Sequence, residues 1–202
     1  MEILGLFPIP VLKMSLNRKF TAEELNEVNI LKQNSEKRET GSFRSINTSV
    51  LDRPALSNLK DSITEAFDIY INEVIKAEDK VTSRITTSWL NWQNGEQVTH
   101  VHKHPNSYLS AVLYIEAYEE DRINFLNKRY HQIQLTPKEY TPYNGDTWLV
   151  YVKSGDILVF PSNLSHGVDA REKDKGTRVS LAVNMFPTGK LGNKKDLTEL
   201  II

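Results

Sequence analysis

Apolar residues recur at intervals of three and four from Leu56 through Leu59, Ile63, Phe67 and Tyr70 to Val74. That spacing marks one face of a helix, expected to start at Asp52-Arg-Pro54 with Asp52 as N-cap and proline in the first turn, and to run to about Lys76. A shorter helix is expected from Thr21 to about Lys32, because Thr21-Ala-Glu-Glu24 is a capping-box pattern. The polar stretch 34–47, rich in Ser, Arg, Glu and Asn, predicts a loop. After Lys80 the period changes to two. Val81–Trp92 alternates and is rich in Ile, Thr and Trp, which predicts a strand ending in a turn at Asn94-Gly95. Further strands are expected over 107–115, 122–126, 131–135, 147–152, 156–160, around residue 166 and over 177–186, with turns at Asn144-Gly145 and Ser154-Gly155.

Helices first and about eight short strands afterwards predict a mainly β chain: a jelly-roll (cupin-like) core over 81–190, N-terminal helices over 1–80 packed on it, and a tail over 191–202. The length of 202 residues suits one domain with a full hydrophobic core. A formal net charge of −1 gives no footprint for nucleic acid or an anionic membrane. With no cysteine, disulfides, thiolate metal sites and thiol nucleophiles are excluded. The apolar start, residues 1–10, lacks a basic region and is broken by Pro8 and Pro10, so it is not expected to be a signal peptide. No apolar run approaches the ~20 residues of a membrane span. A cytoplasmic protein is the expectation.

Chemistry concentrates in Thr99-His-Val-His-Lys-His-Pro105, which holds His100, His102 and His104, three of the five histidines. On a strand, positions i, i+2 and i+4 share a face, and imidazole is the commonest metal ligand at neutral pH. His166 is the obvious distant partner. Non-haem iron(II) oxygenases hold iron with two histidines and a carboxylate on one face, usually as His-x-Asp on one strand and a lone histidine far downstream. Here the spacing is the same, but His-x-His stands in place of His-x-Asp, which removes one negative charge. Arg178 follows His166 by twelve residues, and Ser180 lies two further along, on the same strand face. A guanidinium with a neighbouring hydroxyl suits the distal carboxylate of a 2-oxoacid such as 2-oxoglutarate, and Tyr114 is a candidate phenol donor to that carboxylate.

Several segments together resemble one family. They are Leu6-Phe-Pro-Ile-Pro-Val11, Ser88-Trp-Leu-Asn-Trp92, His102-Lys-His-Pro-Asn-Ser-Tyr-Leu-Ser-Ala-Val-Leu-Tyr114, Gly155-Asp-Ile-Leu-Val-Phe-Pro-Ser162, His166-Gly-Val168 and Arg178-Val-Ser-Leu-Ala-Val-Asn184. In this order they resemble the small bacterial and cyanophage 2-oxoglutarate/Fe(II)-dependent oxygenases of the double-stranded β-helix type, apart from Ala111, where glycine is frequent. The resemblance implies iron held by His102, His104 and His166, 2-oxoglutarate held by Arg178 and Ser180, O2 as second co-substrate, and hydroxylation of a substrate the motifs do not name. A homodimer is compatible with it. His100 then either donates a hydrogen bond behind the ligands or lies at the surface, and His131 is structural. Two rivals differ in class: a cupin-like module that binds metal and carboxylate without catalysis, and a zinc hydrolase with three histidine ligands. The hydrolase lacks a general-base glutamate in the motif. A purely structural metal site has no use for Arg178 and Ser180.

Overall fold

The computed structural model of the chain describes all residues except 79–80, 128–132, 134 and 173–175. A short strand β1 (Leu12–Ser15) precedes helix α1 (Ala22–Gln33). The capping box forms: Thr21 Oγ1 accepts from the Glu24 amide at 3.1 Å, and Glu24 Oε2 accepts from the Thr21 amide at 2.8 Å. The stretch 34–47, expected as loop, is instead a hairpin of β2 (Ser35–Lys37) and β3 (Phe43–Ser45). Three polar residues per strand carry no readable alternation; β3 is fixed by pairing onto the edge of β4 (Val81–Gln93). The second helical stretch opens with 3-10 turns at Val50–Asp52 and Pro54–Leu56, becomes α2 (Ser57–Ile69) and closes as a π-helical segment, Tyr70–Ile75. Asp52 does not cap it: it ends the first 3-10 turn, ahead of Leu56 at the N-cap position of α2, and its carboxylate takes Lys60 Nζ at 2.7 Å.

The remaining strands are β5 (Thr99–His102), β6 (Leu109–Glu116), β7 (Arg122–Leu126), β8 (Thr147–Tyr151), β9 (Asp156–Pro161), β10 (Ser165–Val168), β11 (Arg178–Leu191) and β12 (Leu200–Ile201). They build two antiparallel sheets. The larger runs β1-β9-β6-β11-β4-β3-β2 with β12 on the end of β11, and the smaller runs β5-β10-β7-β8. This is the expected mainly β, double-stranded β-helix (jelly-roll) architecture with N-terminal helices packed on it. The strand expected over 131–135, with His131, lies outside the described residues except Ile133 and Leu135, which are not in a strand. The charged run 171–175, expected from its composition to be a solvated hairpin loop, lies outside them at residues 173–175. No helix among the described residues is long and apolar enough to cross a membrane.

Alternation splits the larger sheet into two environments. Leu90, Leu113, Val159, Leu181 and Val183 pack with Leu59, Ile63 and Phe67 of α2 in one apolar cluster. The opposite face looks into the space between the sheets, where Tyr114, Leu158 and Phe160 meet Ile123 and Phe125 of β7. Register then fixes rows of side chains across this inner face: Thr87, Asn184, Ser110 and Phe160; Trp89, Ala182, Val112 and Leu158; Arg44, Asn91, Ser180 and Tyr114; Gln93 and Arg178.

Candidate metal centre

His166 on β10 pairs in register with His102 on β5, and His104 lies just beyond the end of β5. The candidate nitrogens of His102, His104 and His166 all lie within 4.8 Å of one another. Gly167 allows this approach: a Cβ there would stand 2.9 Å from the Thr99 carbonyl oxygen and 3.2 Å from Val101 Cγ2. His104 is pinned through its backbone N–H, which donates to the Ser162 carbonyl at 2.9 Å. Outside the cluster, His100 contributes its carbonyl oxygen and an exposed ring at the rim.

Hydrogen bonding assigns the same tautomer to all three rings. His102 Nδ1–H donates to the His100 carbonyl at 2.8 Å, His166 Nδ1–H to the Leu164 carbonyl at 2.9 Å, and His104 Nδ1–H to Asn184 Oδ1 at 2.5 Å. Asn184 is itself oriented, because its Nδ2 donates to Thr87 Oγ1 at 3.1 Å and Ser110 Oγ donates to its Oδ1 at 2.9 Å. Each ring therefore keeps Nε2 as its free nitrogen, and those of His102 and His104 stand 3.1 Å apart. Two lone pairs facing at that distance repel unless a cation lies between them. Neighbouring ligands about 2.1 Å from a metal in square or octahedral geometry are roughly 3 Å apart. An Nδ1–H donated to a carbonyl is also the usual outer support of a metal-bound histidine.

Burial disfavours the charged form of two of the three rings. It pulls His166 down to about 4, against the rise from its bond to Leu164, with His102 and His104 lowering it further. Burial also lowers His104, partly offset by Asn184. Both rings are neutral near pH 7, the form a metal takes. Around them, Trp89 stacks on His104 with centroids 5.6 Å apart, and Phe160 meets His166 edge-on at 4.7 Å. A cavity of about 750 Å³ opens in front, bounded by His102, His104, Trp89, Asn91, Asn184 and the β2–β3 hairpin.

Arg178, Ser180 and Tyr114 share the inner face but do not line that cavity; Asn91, in register with Ser180, is where the two regions adjoin. Arg178 is 3% exposed, with Nη1 donating to Asp121 at 2.8 Å and Nη2 to Gln93 Oε1 at 2.5 Å. These bonds use two of its five N–H donors. Burial lowers its pKa and Asp121 opposes that change. Tyr114 is 2% exposed and its hydroxyl has no hydrogen-bond partner among the described residues; burial raises its pKa while Arg178 pulls it down. Ser180 Oγ is likewise unpartnered among them. Two unsatisfied hydroxyls beside a guanidinium form a cradle that fits a carboxylate.

Sequence reasoning missed Asn184, Gln93, Asp121 and Arg44 as contributors. Asn184 had a signal, since it follows Arg178 and Ser180 at even spacing on one strand. Asp121 had none, being 57 positions from Arg178.

Residues 87–184 match the model of a family described as "Putative 2OG-Fe(II) oxygenase". No curated protein matches the chain. Among solved structures, the fold is shared with a 2OG-Fe(II) oxygenase family oxidoreductase from Burkholderia pseudomallei (12% identity, 87% of this chain and 83% of that one, TM-score 0.55). It is shared also with HygX from Streptomyces hygroscopicus, solved with nickel, 2-oxoglutarate and hygromycin B (14%, 89% and 84%, 0.56). A third similar structure is SnoN, a non-heme alpha ketoglutarate dependent epimerase from nogalamycin biosynthesis (11%, 88% and 78%, 0.60).

Proposed function

We propose that this chain, whose residues 87–184 match the 2OG-Fe(II) oxygenase family model, is a member of that family and a dioxygenase that hydroxylates its substrate. His102, His104 and His166 would hold the iron, and Arg178, Ser180 and Tyr114 the distal carboxylate of 2-oxoglutarate. The observation that carries this reading is the convergence of three imidazoles, each with Nδ1–H spent on a carbonyl oxygen, at the base of an open cavity. HygX, a similar structure solved with nickel and 2-oxoglutarate and also with iron, supports it.

When bound, ferrous iron supplies oxygen activation, so that 2-oxoglutarate, O2 and a substrate C–H become succinate, CO2 and a C–OH group. The chain's own groups position and shield. Asp121 and Gln93 hold the Arg178 guanidinium in one plane, so the carboxylate meets a preset donor. The Tyr114 and Ser180 hydroxyls gain the acceptor that the protein does not give them. Phe125 and Phe160, 5.0 Å apart, pack behind His166 and keep water from that side. Asn184 holds His104 with Nε2 bare.

Incubation with Fe(II), 2-oxoglutarate and air, followed by succinate and O2 measurement, tests the reading. Slow succinate formation, one per O2 consumed and lost in His166→Ala, is expected without added substrate. Stoichiometric iron and 2-oxoglutarate binding with no succinate under any substrate mixture would overturn it in favour of a binding module.

A further inference from the structure

The cavity before the histidines has a charge pattern that the reaction class does not require. Its lining carries four cations, Lys37, Arg38, Arg44 and Lys103, against two acids, Glu36 and Glu39. Arg44 is paired with Glu36 across the β2–β3 hairpin. Lys37, Arg38 and Lys103 have no ion-pair partner among the described residues. The mouth is therefore positive on a chain whose net charge is −1. Its position is fixed as well: Gln97 Nε2 donates to the Gly41 carbonyl in the hairpin turn at 2.8 Å, and Gln93 Nε2 donates to the Gln97 carbonyl at 2.7 Å.

The metal end of the cavity has the same sign. Its three candidate ligands are imidazoles, none of them a carboxylate, and no Asp or Glu lines the cavity apart from the two on the hairpin. A divalent ion held there keeps its full double charge, which 2-oxoglutarate brings to zero. One carboxylate ligand would leave the loaded centre negative and repel an approaching anion. A histidine in the carboxylate's place and an unpaired cationic rim therefore favour the same kind of visitor.

We propose that the primary substrate is a small molecule bearing a carboxylate or phosphate group, which docks on Lys37, Arg38 and Lys103 while its reacting carbon reaches the histidine end. This rests on the oxygenase reading for the metal and co-substrate, but the rim can be tested apart from them. The full chain is loaded with Mn(II) and saturating 2-oxoglutarate without air, and proton NMR follows two matched probe pairs, glucose 6-phosphate with glucose and hexanoate with hexan-1-ol. Expected is paramagnetic broadening of an anionic probe and not of its neutral mate. The affinity should fall about tenfold in the Lys37→Gln/Arg38→Gln/Lys103→Gln variant, as loss of complementary charges implies. The pair that responds tells phosphate from carboxylate. Equal broadening of neutral and anionic probes, an unchanged triple variant, or broadening that vanishes as 2-oxoglutarate is raised would overturn the proposal. Mn(II) binding is read separately by electron paramagnetic resonance, and anion binding by calorimetry on the metal-free chain. Charge-selective heat without Mn(II) binding would sink the oxygenase reading and leave the rim standing; no such heat in either form would sink the rim.

Discussion

Along β11 the odd-numbered side chains Val179, Leu181, Val183 and Met185 are buried in the cluster beneath α2, while the even-numbered Arg178, Ser180, Ala182 and Asn184 face the space between the sheets. One strand thus carries two sets of residues under different demands. The apolar set fixes register, because a slip by one position would expose it. The polar set inherits that register: Asn184 meets His104, and Ser180 falls beside Tyr114, as a consequence of where Leu181 and Val183 are buried. Packing energy on one face is what makes the geometry of the other reproducible.

Substitutions that touch one face and spare the other should separate stability from binding. On the helix side, Phe67→Ala should cost about 3–5 kcal/mol in urea denaturation, while metal affinity of the folded protein stays unchanged. On the inner side, His166→Ala should weaken Fe(II) binding by calorimetry more than about 100-fold, a larger loss than removal of an outer support produces.

A third prediction concerns pH. The native His166 pKa of about 4 lies below the ordinary histidine value of 6.5, so the unfolded chain binds more protons between them. Stability of the metal-free protein should be full above pH 6.5 and fall as pH drops toward 4, by on the order of 2–3 kcal/mol. Denaturation midpoints in His166→Ala should lose most of this slope.

Two smaller effects sharpen the contrast within the polar face itself. Arg178→Gln should raise the 2-oxoglutarate concentration for half-saturation about 30-fold, as truncation of a buried charge partner does, and leave Fe(II) affinity alone. Asn184→Ala should weaken Fe(II) binding about tenfold by freeing His104, and Asn184→Asp should restore it, since a carboxylate accepts the same Nδ1–H.

Legibility in the sequence followed the length and regularity of each pattern. The capping box at Thr21 and the three-four spacing from Leu56 placed the helices, alternation placed β4, and short apolar runs bounded by Gly, Pro and Asn placed β6 and β9. The strands β2 and β3 were invisible because three polar residues have no period, and β1 because Pro8 and Pro10 obscure its approach. The end of β11 was set too early, at Phe186. Pro187 and Gly189 look like stops, yet past Met185 the strand has lost β6 as a neighbour, so a missing N–H there leaves no partner unsatisfied. At the site, the i, i+2 histidines and the distant His166 were legible as a group. The partner of Arg178 was not: the fold brings in Asp121 from the turn before β7, 57 positions away in the chain.

The central claim is that the imidazoles of His102, His104 and His166 would hold one iron with room beside it for 2-oxoglutarate. Anaerobic titration of the protein with Fe(II) and then 2-oxoglutarate tests it directly through the weak visible charge-transfer band of the chelated metal. A band saturating at one iron and one 2-oxoglutarate per chain, absent in His104→Ala and shifted to higher 2-oxoglutarate in Arg178→Gln, is the predicted result. No band despite bound iron, or a band indifferent to both substitutions, would contradict it.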